Sequence, residues 1–484
     1  MTRIKEKYNI YINIFITVSL LFFFCMQGTP NSAFAMSIEQ EEKLGKELLE
    51  SVRQQVELVD DAFAEGYINA LGNYLIKPLE SKPFTFNFYI IKDNQMNAFA
   101  GPGGHIFIYT GLIEAMDEID ELAAVICHEI AHVSLRHISD RAEKNTLVGL
   151  ATMAGVLAGA MLGGEASDAI ITGSMAAGQQ MMLSYSREDE RQADQVGFKY
   201  TSKSGFAPSA ILSALATLQK GQWGIENIPP YLLTHPVGPE RISNIESLLA
   251  SYPSISEKNE TNKSFMEDYP LFRTILRARY LDSRDAEKSF KTDLEKDPDS
   301  PLAHLGLAII LKDRDEYPAA IDHFQKALDR IQKPLPALRY LSETYQLMGE
   351  NREAIKILEG ALKLSAGDNK SILFLMAKSY QNLEEYSMAA KIYERLTFMK
   401  PVKDQVFYDL GLTYAKGDRL GLAHYNFGIY FRRLNNMKEA QFHFQKAEKM
   451  AGDDTALQDK IKKAKEEIDM KPGNPSNGGR SERR

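Results

Sequence analysis

The segment His128-Glu129-Ile-Ala-His132 carries the clearest chemistry in the chain. Residues four apart on a helix project from nearly the same face, so the two imidazoles can bind one cation while Glu129 points toward its water. This geometry suits zinc. With nine histidines in 484 residues, the pattern is expected by chance only about 0.02 times. It therefore predicts a metal site on a helix that opens near Asp117.

A catalytic zinc ion needs a third protein ligand and one open position. The segment from Ser186 to Gly197 offers Glu190 as that ligand, with Asp194 one helical turn later on the same face. Asp194 is suited to accept the free N–H of a metal-binding histidine and so to set its tautomer. A charged stretch like this one is ordinarily a solvated helix face. Because the chain also contains the His-Glu-x-x-His helix, we interpret this charged stretch as the rest of the metal site.

Two segments between the N-terminus and this helix have the pattern of strands, residues 84–91 and 105–110. A substrate could add to an exposed strand edge near the metal, but a place in the core of the sheet is as good an interpretation of the first segment. The intervening Gly-Pro-Gly-Gly at 101–104 lacks the Lys and Ser or Thr of a phosphate-binding loop. We therefore expect a tight turn there.

Composition excludes several classes of protein. Hydrophobic residues make up 44% and charged residues 25% of the chain, which is ordinary globular usage rather than that of a disordered or polytopic membrane protein. The net charge is -8 and the basic residues form no long stripe, so no nucleic-acid partner is expected. Two cysteines, Cys25 and Cys127, exclude a disulfide scaffold.

The N-terminus has the pattern of a secretory signal peptide. Residues 1–35 combine Arg3, Lys5 and Lys7 with an apolar stretch and the cleavage pattern Ala33-Phe34-Ala35. The alternative is a retained anchor, because the apolar stretch is just long enough to span hydrocarbon. Residues 147–164 form a second uncharged stretch, rich in Gly and Ala. It is open to three interpretations: a membrane span, a buried core helix, or a surface that contacts membrane or substrate.

The rest of the chain divides into zones of different pattern. We expect a metalloprotease domain at 36–250, a polar linker at 251–265, an all-helical region at 266–468 and a disordered tail at 469–484. The expected fold class is α+β, mostly α. It consists of a zincin-like domain followed by an α-solenoid.

The helical region repeats with spacings of 34, 34 and 35 residues. The repeated pattern is Ala, an aromatic residue or Leu four positions on, and Ala or Leu three further, with a small residue twelve positions before the first Ala. This period is typical of tetratricopeptide repeats, and an ordinary helical bundle is the alternative. Near the C-terminus the anchors Ala423 and Ala440 are only 17 residues apart. One helix is therefore predicted to serve two repeats, which would bend the array or form a pocket.

Several motifs in order resemble the zinc peptidases that include the CAAX prenyl proteases, HtpX and the mitochondrial Oma proteases. They are Asn97-Ala-Phe-Ala-Gly, the His-Glu-Ile-Ala-His helix, Arg136-His137, the segment with Glu190 and Asp194, and Thr234-His235-Pro236. A signal peptide and a repeat array make the chain look most like the periplasmic β-barrel assembly-enhancing branch. The resemblance implies His128, His132 and Glu190 as ligands of one zinc ion and Glu129 as general base.

The same resemblance implies a function, which is an expectation at this stage. It is a periplasmic endopeptidase, peripheral to the outer membrane, that degrades misassembled β-barrel proteins and binds the β-barrel assembly machinery through its repeats. The alternative is a chaperone or assembly scaffold whose protease domain is restrained or inactive. A membrane-embedded CAAX-type protease is disfavoured, because it would need several long spans.

His235, in the loop Thr-His-Pro-Val-Gly-Pro-Glu-Arg241, has two candidate roles. With substrate present it could stabilise the tetrahedral oxyanion, aided by Arg241. Without substrate its neutral imidazole could take the fourth position on zinc and hold the protease off. The second role, a plug, is the one we favour, because a protease surrounded by folding intermediates needs restraint.

Overall fold

The computed structural model of the protein describes residues 36–139, 185–220, 228–251, 260–365 and 369–469. Three of the predicted segments lie outside these residues: the signal peptide, the apolar stretch 147–164 and all but the first residue of the predicted C-terminal tail. No helix among the described residues is both long enough and apolar enough to cross a membrane.

The described chain forms two compact units. The first contains the described residues up to Val59 and those of Ile68–Phe265, and the second contains Asp60–Tyr67 and the described residues from Met266 onward. Residues 260–265 of the predicted linker are the first turns of a helix, and the ring of Phe265 lies 5.4 Å from that of Tyr74. Because the segment is polar, the sequence predicted a linker and did not indicate this contact.

The first unit contains a small mixed sheet. Its strands are β1 (Asn87–Ile91), β2 (Ala98–Gly101) and β3 (His105–Tyr109), in the order β1-β3-β2. Strand β3 is parallel to β1 and antiparallel to β2. The turn Pro102–Gly104 joins β2 to β3, and Gly104 adopts φ 87°, a left-handed conformation that glycine adopts without steric cost. The expected tight turn is therefore present.

The sheet order decides between the roles considered for the predicted strands. Strand β3, which covers residues 105–109 of the predicted segment 105–110, is paired on both sides and so cannot receive an added strand. The outer side of β1 is covered in part by a bridge between Leu58 and Ile91. Strand β2, which sequence patterning did not identify, is paired on one side only among the described residues.

Helices surround the sheet of the first unit. They are α1 (Ile38–Gln55), α2 (Ala62–Leu75, whose first six residues belong to the second unit), α3 (Thr110–Ala115), α4 (Ile119–Ser134), α5 (Arg187–Lys203), α6 (Ala210–Lys220), α7 (Pro230–Thr234) and α8 (Pro239–Ser251). Helices α4 and α5 pack against each other, and α4 also contacts α6 and β2.

The second unit is helical throughout its described residues. Its helices are α9 (Glu260–Tyr280, whose first six residues belong to the first unit), α10 (Ser283–Lys296), α11 (Pro301–Asp313), α12 (Tyr317–Leu328), α13 (Leu335–Leu347), α14 (Asn351–Leu364), α15 (Lys370–Asn382), α16 (Tyr386–Thr397), α17 (Asp404–Lys416), α18 (Leu420–Arg433), α19 (Met437–Met450) and α20 (Thr455–Asp469). Consecutive helices pack against each other from α10 to α20, which is the paired-helix arrangement that the 34-residue period predicted.

The repeat anchors form the core of this array. Each of the small residues on the first helices and each anchor on the second helices is buried: Ala308, Ala320, Phe324, Ala327, Ser342, Ala354, Leu358, Ala361, Ala377, Ala389, Tyr393 and Leu396. Because a small residue faces a larger anchor, the two helices of a repeat approach closely. The α-solenoid expected from the sequence is therefore confirmed.

Helix α18 packs on both of its neighbours. A Cβ placed on Gly411 of α17 would lie 2.7 Å from the ring of Phe427 on α18. A Cβ placed on Gly428 of α18 would lie 2.5 Å from the ring of Phe444 on α19. Both glycines therefore sit under an aromatic ring of the next helix. This helix serves two consecutive repeats, as the 17-residue spacing predicted.

Asp60–Tyr67 belong to the repeat unit although they lie within the predicted protease zone. The carboxylate of Asp61 accepts hydrogen bonds from the backbone of Phe63 and Ala64 at the start of α2, and from the Tyr340 hydroxyl at 2.6 Å. It also forms an ion pair with Arg339. Burial by itself raises the pKa of Asp61, but the positive charge of Arg339 holds it below its usual value.

Candidate metal centre

Helix α4 brings His128, Glu129 and His132 into the interior of the first unit. All three side chains are at most 1% exposed. The helix begins with a capping box, in which Glu118 and Glu121 each accept a hydrogen bond from the other's backbone. Apolar residues cover its remaining faces, so the polar triplet is enclosed on a helix that is otherwise core.

Helix α5 supplies the two carboxylates. Ser186 caps its N-terminus in a capping box with Asp189. Glu190 and Asp194, one turn apart, are 3% and 7% exposed, so this face of the charged helix is not solvated. A Cβ at Gly197, one turn further, would lie 3.1 Å from the backbone of His128. The glycine therefore allows the close helix crossing that brings Glu190 to the histidines.

The donor atoms of these residues converge on one point. The Nε2 atoms of His128 and His132 are 3.0 Å apart. Oxygen atoms of Glu190 lie 3.5 Å from Nε2 of His128 and 3.4 Å from Nε2 of His132. With a nitrogen of His235, these ligand atoms all lie within 4.8 Å of one another. The structure thus brings together the three predicted ligands.

Partners on the far side of each ring determine which nitrogen carries the proton. Nδ1 of His128 lies 3.0 Å from the carboxylate of Asp194, which makes it the N–H side. Nδ1 of His132 lies 3.0 Å from Nδ1 of His137, whose Nε2 faces the side-chain oxygen of Gln192 at 3.3 Å. In this series of hydrogen bonds, His137 donates to Gln192 and accepts from His132. When both rings are neutral, their Nε2 atoms therefore present lone pairs to the centre.

A left-handed residue places His137 where it can contact His132. Arg136 adopts φ 58° immediately after α4, which turns the chain back toward the helix. Its guanidinium donates to the buried carboxylate of Glu41, with Nε at 3.1 Å and Nη2 at 3.0 Å. That ion pair between α1 and the end of α4 holds the residue in this uncommon conformation.

His235 lies at the centre rather than on the surface. A loop histidine is ordinarily exposed, but this one is fully buried, with its ring stacked 4.4 Å from that of Tyr231. Its Nδ1 is 2.9 Å from Glu190 and 3.4 Å from Nε2 of His128. Its Nε2 faces an oxygen of Glu129 at 3.5 Å. His235 is therefore the fourth member of the donor cluster.

Arg241 is engaged with the carboxylates. Its guanidinium donates two hydrogen bonds of 2.8 Å to Asp194, and its Nη1 lies 2.5 Å from Glu190. It also donates to the backbone carbonyls of His235 and Pro236 at 3.4 and 3.5 Å. The residue is 7% exposed. Its position connects α5 to the loop that carries His235.

Glu129 has a different environment from the other two carboxylates. Neither of its oxygens has a hydrogen-bond partner among the described residues, although the side chain is fully buried. An unpartnered carboxylate in the interior is costly unless a further group completes its contacts. Nε2 of His235 lies 3.5 Å from one of these oxygens. The side chain is free to accept a proton from a molecule held beside the donor cluster.

The cluster has the charge distribution of a cation site. Burial by itself raises the pKa of Glu190, but the charges of His235, Arg241 and His128 hold it well below its usual range. Burial lowers the pKa of His132, which leaves it neutral. Burial also acts to lower the pKa of His128, but Glu190 and Asp194 raise it to about 9. A cation that binds here displaces the proton of His128.

This donor set fits a metal ion. Two imidazole lone pairs 3.0 Å apart repel each other unless a cation or a proton lies between them. An ionised carboxylate lies within 3.5 Å of both nitrogens. Two histidines and a carboxylate form the protein ligand set of several catalytic metal sites. The residues present therefore suit the metal that a His-Glu-x-x-His peptidase requires.

Sequence reasoning missed the residues that orient the cluster. His137 and Arg136 were noted only as part of a motif, and Gln192, Tyr185 and Tyr231 were not singled out. The ring of Tyr185 stacks 3.7 Å from that of His132. The one available signal was the position of Arg136-His137 just beyond the helix, since a residue five positions after His132 contacts it only if the chain turns back.

Known proteins share this architecture. Residues 62–249 match the sequence profile of "Peptidase family M48", and residues 281–334 match that of "Tetratricopeptide repeat". A "Beta-barrel assembly-enhancing protease" of Yersinia pestis is 28% identical over 385 residues, which cover 77% of this chain and 76% of that protein.

Two further relatives come from Escherichia coli (strain K12). A "Beta-barrel assembly-enhancing protease" is 32% identical over 43% of this chain and 44% of its own length. The "Metalloprotease LoiP" is 30% identical over 38% of this chain and 68% of its own length. The chain thus matches less than half of the first of these two proteins.

The fold and the site define a metallopeptidase with a C-terminal tetratricopeptide array. The His-Glu-x-x-His helix, the carboxylate helix and the profile match over 62–249 agree on this class. The chain belongs to peptidase family M48, whose members require a metal.

Proposed function

We propose that the protein is a zinc-dependent endopeptidase of the periplasm that degrades misassembled β-barrel proteins of the outer membrane. The observation that carries the proposal is the convergence of two imidazole lone pairs and Glu190 next to the unpartnered carboxylate of Glu129. Relatives named as β-barrel assembly-enhancing proteases support the substrate class. The signal-peptide pattern of residues 1–35 supports the compartment.

His128, His132 and Glu190 would hold the zinc ion. When bound, zinc supplies Lewis acidity toward the scissile carbonyl and acidifies the attacking water. Glu129 acts as general base: its carboxylate accepts the proton of that water and returns it to the leaving amine. Asp194 and His137 keep the two imidazoles in the tautomers that point Nε2 at the centre. Arg241 keeps Glu190 and Asp194 ionised and in place.

Strand β2 is our candidate for binding an extended substrate. It has one unpaired side among the described residues, and it packs against α4, which carries the metal ligands. A peptide that adds to this side would gain main-chain hydrogen bonds irrespective of its side chains. Such binding suits substrates recognised by an unfolded state rather than by a sequence.

Substrate trapping tests the proposed function. Glu129→Gln protein, loaded with zinc, is mixed with envelope extracts, and the proteins that copurify are identified. We expect outer-membrane β-barrel proteins to be enriched relative to His128→Ala protein, which lacks a complete ligand set. Equal recovery by both variants, or recovery of no β-barrel protein, would contradict the assigned substrate class.

One observation favours the second candidate function, a scaffold with a restrained protease domain. Nδ1 of His235 occupies a place in the donor cluster, 3.4 Å from Nε2 of His128. A fourth protein donor there would exclude water from the metal. Cleavage of unfolded casein by the purified wild-type protein separates the two functions. Measurable zinc-dependent cleavage supports the peptidase, and its absence supports the scaffold.

His235→Ala is expected to increase cleavage of casein and of the protein itself, because we propose that the imidazole plugs the fourth position on zinc. If His235 instead stabilises the oxyanion, the same change lowers the rate by about 10²–10³-fold. Zinc-edge absorption spectroscopy of the resting protein provides an independent check. A shell with two histidines and oxygen atoms only, unaltered in His235→Ala, would rule out the plug.

The repeat array is proposed to bind the β-barrel assembly machinery. Photo-crosslinkers at exposed positions of α18 and α19, the helices around Ala423 and Ala440, are expected to recover assembly components from the envelope. The experiment uses the full chain, because a fragment that begins at Met266 lacks Asp60–Tyr67 of the same unit. Crosslinkers on exposed positions of α8 in the peptidase unit serve as the control. Equal recovery from both places would contradict docking through the array.

A further inference from the structure

Two pairs of histidines lie face to face in the repeat unit. Nδ1 of His304 is 2.8 Å from Nδ1 of His323, and Nδ1 of His424 is 2.9 Å from Nδ1 of His443. In each pair the second histidine follows the first by 19 residues and lies on the next helix: α11 and α12 for one pair, α18 and α19 for the other. The protein has nine histidines, and these pairs account for all four of the repeat unit.

Both pairs occupy the same register of the repeat. The first histidine lies four residues before the small residue, Ala308 or Gly428, and the second lies directly before the aromatic anchor, Phe324 or Phe444. Of the three intervening repeats, those that begin on α13 and α15 carry aliphatic residues at these positions, Leu338 with Ile357 and Leu373 with Ile392. The repeat that begins on α17 carries Phe407 with Asn426. Leu373 and Ile392 pack in one hydrophobic cluster. Packing of the repeat therefore does not require imidazoles here.

In the first pair, a hydrogen bond to the backbone orients the lone pair of His304 toward His323. Nε2 of His304 lies 3.0 Å from the carbonyl oxygen of Pro298. A carbonyl only accepts, so Nε2 carries the hydrogen, and a neutral His304 presents the lone pair of Nδ1 to His323. Metal-binding histidines commonly donate their other N–H to a backbone carbonyl in this way. In the second pair the ring of His443 is stacked 5.2 Å from that of Phe431, which fixes its plane.

The nitrogen separations match a particular coordination geometry. For metal–nitrogen bonds of about 2.0–2.1 Å, nitrogens 2.8 to 2.9 Å apart subtend about 85–90° at the metal. That is the angle between neighbouring ligands in square-planar or octahedral sites rather than in tetrahedral ones. Square-planar and tetragonal nitrogen sites are typical of Cu²⁺ and Ni²⁺.

Both histidine pairs lie near the protein surface. His323, His424 and His443 are only partly buried, so solvent reaches one side of each pair.

We propose that each histidine pair is a two-imidazole binding site for Cu²⁺ or Ni²⁺, separate from the peptidase centre. The remaining coordination positions are left to water or to a donor from a bound protein. A metal held between the first and second helix of a repeat would link the two helices, and so stiffen the array at two places 120 residues apart in the chain.

Copper titration of the zinc-loaded full-length protein tests the proposal. We expect the wild type to bind about two Cu²⁺ ions per chain, with nitrogen hyperfine coupling in the electron paramagnetic resonance spectrum and a raised unfolding temperature. His304→Leu with His323→Ile, which copies the aliphatic pair of the neighbouring repeats, should remove one ion. His424→Leu with His443→Ile should remove the other.

Two controls make the result decisive. His105→Gln alters a histidine of the peptidase unit whose Nδ1 contacts the Tyr89 hydroxyl, and it should leave copper binding unchanged. Circular dichroism checks that each double variant keeps its helical content. The proposal is overturned for a pair whose variant binds as much Cu²⁺ as wild type, and for both pairs if the wild type takes up no copper beyond that bound by the combined variant. The pairs would then be simple imidazole hydrogen bonds.

Discussion

Glu129→Gln is expected to abolish peptide hydrolysis while the protein keeps its metal. The amide has nearly the shape of the carboxylate but cannot accept the water proton, and loss of a general base costs about 10²–10⁴-fold in rate. Glu129 has no hydrogen-bond partner among the described residues, so the change breaks no hydrogen bond there. Casein cleavage measures the activity, and elemental analysis of the purified variant measures the metal.

Two further variants complete this test. His128→Ala removes a proposed ligand and should lose both metal and activity. Glu246→Gln makes the same chemical change on an exposed residue of α8 and should lose neither. A zinc-free Glu129→Gln protein would make Glu129 a ligand, and a fully active one would remove it from the mechanism.

Arg241→Met is expected to destabilise the metal-free protein by about 3–5 kcal/mol, the usual cost of removing one partner of a buried ion pair. The change keeps the length and apolar character of the side-chain stem but leaves Glu190 and Asp194 buried without their common cation. Chemical unfolding of the metal-free protein measures the effect. Bound zinc should reduce the loss, because Glu190 then has a second positive partner.

Arg187→Met is the matched control for this prediction. Arg187 begins α5, and its side chain is 95% exposed with a distant partner, Glu240, at 3.8 Å. Its replacement should leave the unfolding midpoint unchanged. If Arg241 acted only on the oxyanion, Arg241→Met would lower kcat without changing stability, and that outcome would reverse our assignment.

The fold class and the central residues of the metal site were predictable from the sequence, because both depend on local periodicity. Four residues are slightly more than one helical turn, so the spacing of His128 and His132 places both imidazoles on one face in any helix that contains them. Glu190 and Asp194 share a face for the same reason. The 34-residue period likewise reports a helix pair that must bury the same positions in each copy.

Sequence alone determined which residues of this protein have metal-binding chemistry and that its C-terminal half is a helical array. Only the tertiary structure decided that His235 enters the donor cluster, that Arg241 joins the two carboxylates, and that Asp60–Tyr67 pack with the repeats. These contacts join residues 45 to 279 positions apart. A periodic sequence pattern does not encode contacts between such distant residues. These contacts depend on the path of loops and on close approaches such as that of α5 to α4 at Gly197.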